Sequence, residues 1–494
     1  MCWVGAIVAL QGTIDRPGDL ARSLLLWSKN RGQDGYGLSL RCTDGQIHTF
    51  KFPDITPDLV ARINHFAGEV TALISHARYP TSGGNGYKPK YVQPFEETSA
   101  SPRYAFAFNG NIVNAPQLAD GLAQQWYVTE QEPLLDTEVL KLMIQQQFDQ
   151  GVGDQKVILE HINDRIDGCC NMILLAQDGE VSLAKDRRGF RPLAFAKNEK
   201  LFVASSESAV LFKMGLENPT FMKAGEMVDV SPRLQSVQHQ TMDLLQPIVK
   251  SRCFFEAVYF ANPMTLLWWT PSNAHRYRLG QELAKHDMDR FDEKNTVVVD
   301  VPASAYYSAK WYNDMLNVPH IPAIIKSPDA KRTFIETDEK REKMIQEKYL
   351  FSEQLIPYIK NKIAVLMDDS IVRGATMEHL VHSFRKFYEP AEVHLRIPSP
   401  PIVAPCFYGI NIARKQELIA PQFFQDELRP TAHELQKLAT YLHAESIQYI
   451  SHQGLAEALR VDTWDICMGC ITGKYPTPGG QAKYDAQCQS TVVF

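Results

Sequence analysis

The sequence lacks several features that would assign it to a special class of protein. No apolar run approaches the roughly 20 residues that a membrane-spanning helix needs. Its 51 Lys and Arg residues are outnumbered by 57 Asp and Glu, and the net charge of −6 argues against a general nucleic-acid-binding surface. Nine cysteines in 494 residues are too few for a disulfide scaffold. The N-terminus has no basic segment followed by an apolar one, so we expect a cytoplasmic protein.

What is present is a 45% share of hydrophobic residues in a chain long enough for two or three full-sized domains. The first half has many short apolar runs and a helical pattern at residues 138–148, which predicts an α+β layered domain ending near residue 230. In the second half, strand candidates at 296–301, 363–367 and 393–397 alternate with helical patterns. This alternation predicts an α/β domain with a parallel sheet.

The most informative segment follows the predicted strand at residues 363–367. Two adjacent carboxylates, Asp368 and Asp369, precede a short loop, and an apolar stripe then predicts a helix. Backbone N–H groups at a helix start suit a phosphate, Gly374 lets the backbone approach it, and Thr376 adds a hydroxyl donor. Paired carboxylates suit the vicinal hydroxyls of a sugar and Mg²⁺. The segment therefore predicts a phosphosugar site, and an acidic turn with an ordinary helix cap is the alternative.

A second candidate site lies in the first half and centres on a thiol. If the initiator methionine is removed, Cys2 carries a free α-amino group, which can act as the general base for its own thiol. Arg78 offers a cation for a carboxylate, and Asp136 offers an anion for an ammonium group. Asn109 and Gly110 offer amide donors for an oxyanion. Together these groups predict a site that cleaves the side-chain amide of glutamine, and an incidental cysteine is the alternative.

Four of the nine cysteines could share one metal centre. Cys467 and Cys470 form a C-x-x-C pair, whose short spacing lets two thiolates bind the same centre. With Cys253 and Cys406 they could complete a four-thiolate site for zinc or for an iron–sulfur cluster. The spacing does not choose between these metals, and a redox pair or plain buried thiols stay open as alternatives.

Residues 363–376 resemble the 5-phosphoribosyl-1-pyrophosphate (PRPP) loop of type I phosphoribosyltransferases, in the form found in glutamine PRPP amidotransferases. By this resemblance Asp368 and Asp369 would hold the ribose hydroxyls close to Mg²⁺, and residues 370–376 would wrap the 5-phosphate. The resemblance also implies an α/β phosphoribosyltransferase domain over residues 250–494. The implied PRPP-binding residues are Asp368, Asp369, Ser370, Arg373, Gly374, Ala375, Thr376, Lys326 and Arg332.

The first half, with its Arg-Gly-Gln-Asp segment at residues 31–34, resembles the class II glutamine amidotransferases. This resemblance implies a four-layer αββα domain of the N-terminal-nucleophile hydrolase fold over residues 2–235. By the same resemblance Cys2 attacks the glutamine amide, and Asn109 with Gly110 stabilises the oxyanion. The implied glutamine-binding residues are Arg78, Asp136 and Arg31.

The sequence contexts of the four candidate metal-binding cysteines resemble the [4Fe–4S] ligand contexts of the cluster-bearing branch of these amidotransferases. This implies a [4Fe–4S] cluster on Cys253, Cys406, Cys467 and Cys470 that ties the C-terminal segment to the transferase domain. The resemblance further implies a Mg²⁺ cofactor, glutamine and PRPP as substrates, and a homodimer or homotetramer. The implied reaction transfers ammonia from glutamine to C1 of PRPP and gives 5-phosphoribosylamine, glutamate and pyrophosphate, in the first step of de novo purine synthesis.

Several positions depart from the family pattern. Trp3 stands where the family has glycine, and we expect its ring to crowd the thiol of Cys2. Ala303 replaces an acidic residue. Three further departures fall in a flap over PRPP, at Ser327, Pro328 and Asp329. The changes leave two alternatives open: a diverged relative that aminates a different phosphoribosyl or related sugar substrate, and a non-catalytic relative that binds PRPP or a nucleotide.

Overall fold

The computed structural model describes residues 2–79, 86–98, 103–124, 134–327, 348–412 and 414–489. Three large sheets organise these residues. Two antiparallel sheets, of seven and six strands, belong to the first half of the chain, and a parallel sheet of four strands belongs to the second half. None of the helices in these ranges has the length and apolar character needed to cross a membrane.

The seven-stranded sheet contains the strand that begins next to the predicted nucleophile. Trp3–Ala9 pairs antiparallel with Leu201–Ser205 on one side and with Val70–Ala77 on the other. All its residues are buried, as its apolar sequence predicts. In spatial order the strands are Thr220–Phe221, Ala194–Lys197, Leu201–Ser205, Trp3–Ala9, Val70–Ala77, Tyr36–Cys42 and Ile47–Phe52.

The six-stranded sheet carries the predicted oxyanion donors. Asn109 and Gly110 lie in the strand Tyr104–Ile112, which pairs with Gly168–Ala176. A Cβ atom at Gly110 would lie 1.8 Å from the carbonyl oxygen of Cys169, so this approach of two backbones requires glycine. In spatial order the strands are Ser236–Thr241, Glu226–Ser231, Val181–Lys185, Gly168–Ala176, Tyr104–Ile112 and Phe95–Glu97.

The two antiparallel sheets pack face to face, and helices cover both outer faces. The core between the sheets joins residues such as Val8 and Ala107, and two further cores lie under the helices, around Leu24 and Ile144. This order of layers is αββα, which confirms the predicted fold. The helices are Pro17–Leu26, Pro57–Asn64 and Ser208–Lys213 on the first sheet, and Ala115–Ala123, Asp136–Asp149 and Gln155–Arg165 on the second.

The parallel sheet of the second half contains, in spatial order, Thr296–Asp300, Ile363–Met367, Glu392–Ile397 and Ser446–Tyr449. Its side chains alternate between two cores, since Val297 and Val299 belong to one and Val298 to the other. A buried parallel sheet between helices confirms the predicted α/β fold. The helices are Ser272–Ala284, Tyr306–Leu316, Ile356–Ile359, Ala375–Tyr388, Ala420–Phe423, Ala432–Tyr441, His452–Leu459, Gly469–Thr472 and Pro478–Gln489.

Smaller elements complete both halves of the fold. Arg252–Cys253 pairs with Ile466–Cys467, Leu266–Leu267 with Thr270–Pro271, and Ile324–Lys326 with Tyr349–Phe351. A π-helical turn spans Glu256–Phe260. Single 3₁₀ turns occur at Pro89–Tyr91, Glu353–Leu355, Lys415–Glu417 and Thr463–Asp465.

The six-stranded sheet extends past residue 235, where the sequence placed the end of the first domain. Glu226–Ser231 and Ser236–Thr241 form a hairpin and pair along their whole length. The polar stretch after residue 230 is the turn of this hairpin and not a linker. The reason for the difference is that turn residues mark the end of a strand but do not tell whether the next strand belongs to the same sheet.

Candidate functional site

The thiol of Cys2 lies where two neighbouring strands of the seven-stranded sheet begin and end. Its Sγ is 3.4 Å from both the backbone nitrogen and the carbonyl oxygen of Tyr79. The strand register explains this contact, because Trp3 pairs with Ala77 and so the residue before Trp3 meets the residues after Ala77. The pairing of β-strands therefore positions the nucleophile.

A small pocket around this thiol brings together residues that the sequence analysis took from separate segments. Arg78, Gly110 and Asp136 line it with Cys2. Asn109, the neighbour of Gly110, is 1% exposed, and its Nδ2 has no hydrogen-bond partner among the described residues. Such a donor is costly unless a ligand uses it, which fits a role toward an oxyanion. The other lining residues are His76, Tyr79, Lys90, Tyr91, Gln93, Phe95, Phe108, Leu135, Thr137 and Glu138.

Burial governs protonation in the thiol pocket. It raises the pKa of the Cys2 thiol, although the backbone N–H of Tyr79 and the charge of Arg78 act in the opposite direction. Burial also raises the pKa of Asp136, although backbone N–H groups donate to its carboxylate. The thiol therefore needs a base before it can act as a nucleophile, and a cation bound next to the carboxylate would lower its pKa again.

His76 also lines the thiol pocket, and the sequence analysis assigned it no role. Its side chain is fully buried, and this burial lowers the pKa of the imidazole to about 3. The ring is therefore neutral near pH 7. Its position could have been predicted, because it lies two residues before Arg78 at the end of a strand, where alternate side chains share a face.

Trp3 does not crowd the thiol, which corrects the expectation from its position next to Cys2. Its ring is fully buried in the core under the helices of the first sheet, and its Nε1 donates to Ser205 Oγ over 3.1 Å. The ring covers Gly5, where a Cβ atom would lie 2.3 Å from a ring carbon. Successive side chains of a strand point to opposite faces, so the indole is directed away from the pocket.

Arg31 does not line the thiol pocket, which corrects its predicted role in glutamine binding. Its side chain is fully buried, and Nη1 donates to Glu207 over 2.9 Å. Both terminal nitrogens also donate to Glu256, over 2.8 and 2.7 Å. Because Glu256 lies in the π-helical turn at the start of the second domain, Arg31 joins the two domains instead of holding a substrate.

A larger cavity, of about 340 Å³, lies at the carboxyl end of the parallel sheet. The loop after the strand Ile363–Met367 forms one wall, and the helix Ala375–Tyr388 begins there. Gly374 precedes this helix with a φ of 83°, a left-handed conformation that favours glycine. The backbone N–H groups at the start of the helix are thus directed to a site suited to a phosphate. The predicted residues lining the cavity are Asp368, Asp369, Ser370, Arg373, Gly374, Ala375, Thr376 and Lys326.

Burial dominates the protonation of the two adjacent carboxylates in this cavity. Burial and the neighbouring charge raise the pKa of Asp368 well above its ordinary value. Burial also raises the pKa of Asp369, which accepts hydrogen bonds from the hydroxyls of Ser304 and Ser370. A bound cation would lower both values, so this donor pair fits a Mg²⁺ ion close to the ligand.

The remaining predicted PRPP-binding residues, and the positions that depart from the family pattern, do not all line this cavity. Lys326 lines the cavity, as does Ala303. Arg373 lines it as well, but its guanidinium group donates to Glu417, with Nε 2.9 Å from the carboxylate. Arg332 lies outside the described residues, as do two of the three flap departures, Pro328 and Asp329. The third, Ser327, donates its backbone N–H to the carbonyl of Lys348 over 2.9 Å.

Tyr79 lines both the thiol pocket and the larger cavity. Its ring meets Phe260 of the second domain edge to face, with the ring centres 6.4 Å apart. Asn30 and Gln33 of the first domain also line the larger cavity. The two sites are therefore neighbours that share Tyr79 as a lining residue. The sequence analysis missed Tyr79, although it directly follows Arg78.

The four cysteines predicted to bind a metal converge from three segments. Cys253 and Cys467 are paired residues of two short parallel strands, and the carbonyl of Cys470 accepts hydrogen bonds from the backbone near Cys406. Burial raises the pKa of Cys470, and the other three thiols raise it further. Arg191 of the first domain opposes this effect at Cys253. Among the described residues, no three His, Cys, Asp or Glu side chains stand close enough to hold a single metal ion.

The fold and the two pockets define the class of protein: an N-terminal-nucleophile glutamine amidotransferase domain followed by a phosphoribosyltransferase domain. A family model described as a glutamine amidotransferase domain matches residues 87–213. The chain is 30% identical to the amidophosphoribosyltransferase of Archaeoglobus fulgidus, across 94% of this chain and 97% of that protein. It is 28% identical to the Methanocaldococcus jannaschii amidophosphoribosyltransferase, across 91% and 92% of the two chains. The chain belongs to the amidophosphoribosyltransferase family.

Solved structures agree with this assignment. The glutamine PRPP amidotransferase of Bacillus subtilis, solved with ADP and GMP, superposes with a TM-score of 0.77 over 96% of this chain and 97% of that chain, at 26% identity. A structure described as the allosteric regulatory enzyme of purine biosynthesis also has a TM-score of 0.77, at 27% identity. The similarity therefore extends over both domains and their arrangement.

Proposed function

We propose that this chain releases ammonia from glutamine at Cys2 and uses it to displace pyrophosphate from C1 of PRPP. The products are 5-phosphoribosylamine, glutamate and pyrophosphate, which is the entry to de novo purine synthesis. The observation that carries this proposal is the position of Tyr79, which lines both pockets on a single chain. An amide-cleaving site and a phosphosugar site that share a wall can pass ammonia without releasing it to water.

The first half-reaction begins at the thiol. Removal of the initiator methionine gives Cys2 a free amine, which takes the thiol proton, and the sulfur then bonds to the amide carbon of glutamine. Asn109 and Gly110 donate hydrogen bonds to the oxygen of the tetrahedral intermediate. Collapse of this intermediate breaks the C–N bond as the α-ammonium group of Cys2 gives the proton to the leaving nitrogen, and ammonia is released. Water then hydrolyses the thioester to glutamate.

Two charged residues of the pocket give this half-reaction its specificity for a free amino acid. Arg78 binds the α-carboxylate of glutamine, and Asp136 binds its α-ammonium group. Both face the same pocket as the thiol. The ammonium group is also a cation that opposes the effect of burial, which raises the pKa of Asp136.

The second half-reaction takes place in the larger cavity. The helix start at Gly374 to Thr376 binds the 5-phosphate, while Asp368 and Asp369 bind the ribose hydroxyls. The ammonia nitrogen bonds to C1 as the bond from C1 to the pyrophosphate oxygen breaks, and the extra proton leaves the nitrogen. Mg²⁺ bound near the two carboxylates would neutralise charge on the pyrophosphate. Lys326 lies in the same cavity and can contribute to this neutralisation.

One observation favours a second candidate, in which the acceptor is a different phosphoribosyl or related sugar. Ala303 lines the cavity where the family has an acidic residue, so its methyl group replaces a polar contact to the ligand. Under this candidate the glutamine half-reaction is unchanged and the sugar differs.

The decisive experiment measures glutamate and pyrophosphate with PRPP supplied or withheld. We expect coupled formation of both with PRPP, and Cys2→Ala should stop glutamine-dependent pyrophosphate release while ammonia still supports it. Cys42→Ala, a buried cysteine outside both pockets, is the matched control and should behave as the unchanged protein. Glutamate formation without pyrophosphate release would favour the second candidate.

We further propose that Cys253, Cys406, Cys467 and Cys470 bind a [4Fe–4S] cluster with a structural role. Their convergence, the burial of Cys253, Cys467 and Cys470, and the nearby charge of Arg191 support this, because thiolates on a cluster need compensating positive charge. Such a cluster bonds each thiolate to a different iron, so the ligands need not meet at one point. Iron and acid-labile sulfide should be present in the isolated protein and lost in Cys406→Ser, but kept in Cys488→Ser. Zinc without iron would overturn this proposal.

We also propose a homodimer or homotetramer in the cytoplasm. The support for the cytoplasm is that all nine cysteines are free thiols, as is usual in a reducing compartment. Family membership is the support for the oligomer. Light scattering coupled to size-exclusion chromatography measures the assembly, and a monomer at micromolar concentration would contradict it.

A further inference from the structure

The π-helical turn Glu256–Phe260 supplies aromatic rings to the wall of the larger cavity. Phe260 is at the centre of this wall, because its ring meets the rings of Phe255, Tyr259 and Tyr79. The centres of these three rings are 5.6, 4.8 and 6.4 Å from that of Phe260, respectively. All four residues line the larger cavity, and Tyr79 also lines the thiol pocket. We call these four rings the aromatic wall.

The turn ends in backbone carbonyl groups that need partners from elsewhere in the protein. Its last backbone hydrogen bond runs from the N–H of Ala261 to the carbonyl of Glu256 over 3.0 Å. The carbonyls that follow Glu256 lie beyond this bond, as at the end of any helix. Most residues of the turn are buried, so water cannot satisfy these acceptors freely. The position of the aromatic wall therefore depends on the side chains that bind them.

Arg276 donates hydrogen bonds to three of these carbonyls. Its Nε is 3.1 Å from the carbonyl oxygen of Ala257, and its Nη2 is 2.9 and 2.7 Å from those of Tyr259 and Ala261. A planar guanidinium group suits this task, because its donors point in fixed and different directions. Arg276 itself also lines the larger cavity. One side chain thus fixes the turn that carries most of the aromatic wall.

The helix that carries Arg276 is itself held in place. A Cβ atom at Gly280 would lie 2.1 Å from the carbonyl oxygen of Ser308, so the helices Ser272–Ala284 and Tyr306–Leu316 are in close backbone contact. The hydroxyl of Ser308 also donates to the backbone carbonyl of Arg276 over 2.9 Å. The guanidinium group is therefore attached to a packed part of the second domain.

Ion pairing does not explain the burial of Arg276. The residue is 2% exposed, and its hydrogen bonds to the described residues go to backbone carbonyls, with none to a carboxylate. Burial lowers the pKa of its guanidinium group, and the charges of Asp369 and Glu207 oppose this effect without a direct bond. A buried cation without a bonded carboxylate is costly. The gain that offsets this cost is the set of hydrogen bonds to the turn.

We propose that Arg276 is a positioning residue for ammonia transfer, which holds the aromatic wall in place between the thiol pocket and the larger cavity. This inference rests on the proposed function. Ammonia is a nucleophile only while it is unprotonated, and a packed wall of rings excludes the water that would protonate it or carry it away. Arg276 acts through the turn, so loss of its hydrogen bonds should let ammonia escape before it reaches the sugar.

The test compares glutamate and pyrophosphate formation in the full-length Arg276→Lys variant, with glutamine or ammonia as the nitrogen source. Lysine keeps the charge but lacks the planar set of donors. The unchanged protein should form glutamate and pyrophosphate in equal amounts. In Arg276→Lys we expect glutamate per pyrophosphate to rise about fivefold, and pyrophosphate release with glutamine to fall about fivefold relative to that with ammonia.

A second variant, Arg276→Gln, applies if the lysine variant does not fold. Its neutral amide can still donate to part of the turn, so we expect a smaller rise of the product ratio in the same direction. An unchanged product ratio in whichever variant folds would overturn the proposal. If the unchanged protein releases no pyrophosphate, the proposed function itself fails, and this outcome is distinct from full coupling in both proteins.

Arg396→Lys is the matched control for a merely structural role. Arg396 is fully buried in the same domain and donates to both carboxylate oxygens of Asp287, but it lines neither the thiol pocket nor the larger cavity. We expect this variant to lower the thermal midpoint at least as much as Arg276→Lys and to keep the product ratio of the unchanged protein. An equal rise of the ratio in both variants would assign the leak to lost stability and contradict the proposal.

Discussion

The thiol pocket, here called the glutamine chamber, and the larger cavity, here called the PRPP chamber, are built in different ways. In the glutamine chamber, Cys2, Arg78 and Gly110 lie on or next to strands of two packed sheets, and their separation follows from strand pairing. In the PRPP chamber, the carboxylates Asp368 and Asp369 and the phosphate site belong to one continuous loop. The first chamber is therefore held by the core of its domain, whereas the second holds two adjacent carboxylates whose pKa values are raised by burial.

This difference predicts how each chamber responds to a change. Loss of one group from the strand-built chamber should remove the chemistry of that group and leave the rest in place. Loss of one group from the loop-built chamber should also weaken the binding of the ligand and of the cation, since both depend on the same short segment.

The largest effect is expected in the loop-built chamber. Asp369→Asn removes one of the two carboxylates and should lower PRPP-dependent pyrophosphate release by about 10³-fold, with a higher requirement for Mg²⁺. Basal glutamine hydrolysis without PRPP should be unchanged. Asp426→Asn, an exposed acidic residue outside the cavity, is the matched control. Equal losses in both half-reactions would show that the two chambers are not separate.

In the strand-built chamber, Asn109→Ala removes a buried amide donor. We expect kcat for glutamine hydrolysis to fall by about 10²-fold, with KM changed by less than about twofold, because the donor acts on the transition state. Amination of PRPP with added ammonia should be unaffected. A large rise in KM with constant kcat would instead mean that Asn109 binds the substrate.

The buried ion pair between the domains tests whether Arg31 stabilises the domain contact or binds glutamine. Arg31→Met leaves Glu207 buried without its cationic partner and Glu256 with Arg191 alone, and should lower the free energy of unfolding by about 3 kcal/mol, measured in urea. KM for glutamine should stay within about twofold of its value in the unchanged protein. If KM rises tenfold without a loss of stability, Arg31 binds glutamine after all.

The smallest effect concerns pH. The pKa of Asp136 lies above its ordinary value of 3.8 because of burial, so protonation begins at a higher pH than for an exposed aspartate. Protonated Asp136 cannot pair with the α-ammonium group, so KM for glutamine should rise as the pH falls. The bound ammonium group lowers the pKa, and kcat should therefore depend less on pH. In Asp136→Asn the acid-side rise in KM should disappear, and a persistent rise would assign it to another group.

Sequence reasoning succeeded where the relevant residues are contiguous. Residues 368–376 contain the carboxylates, the glycine and the helix start in one segment, so their grouping needs no knowledge of the fold. The strand bounds Leu201–Ser205 and Ile363–Met367 are as predicted, because each is a short apolar run between polar residues. Arg78 and Asp136 lie in the same pocket as Cys2, as their complementary charges and the resemblance both predicted.

Sequence reasoning failed where a distant partner or a strand face decides the role. Arg31 lies 176 residues from Glu207 and 225 from Glu256, and nothing near it in the sequence indicates these partners. Trp3 is next to the nucleophile in sequence but on the opposite face of the strand. Tyr79 acquires its position between two pockets only because the second domain packs against it.

The sequence by itself determined which chemistries are present: a thiol at the second position, a contiguous loop for a phosphosugar and four cysteines in three segments. Only the tertiary structure decided that the two chambers share Tyr79 and that Arg31 joins the domains. The physical reason is the distance along the chain between the residues that interact. Helix starts, turns and strand alternation depend on a few neighbouring residues, whereas ion pairs and domain contacts join residues hundreds of positions apart.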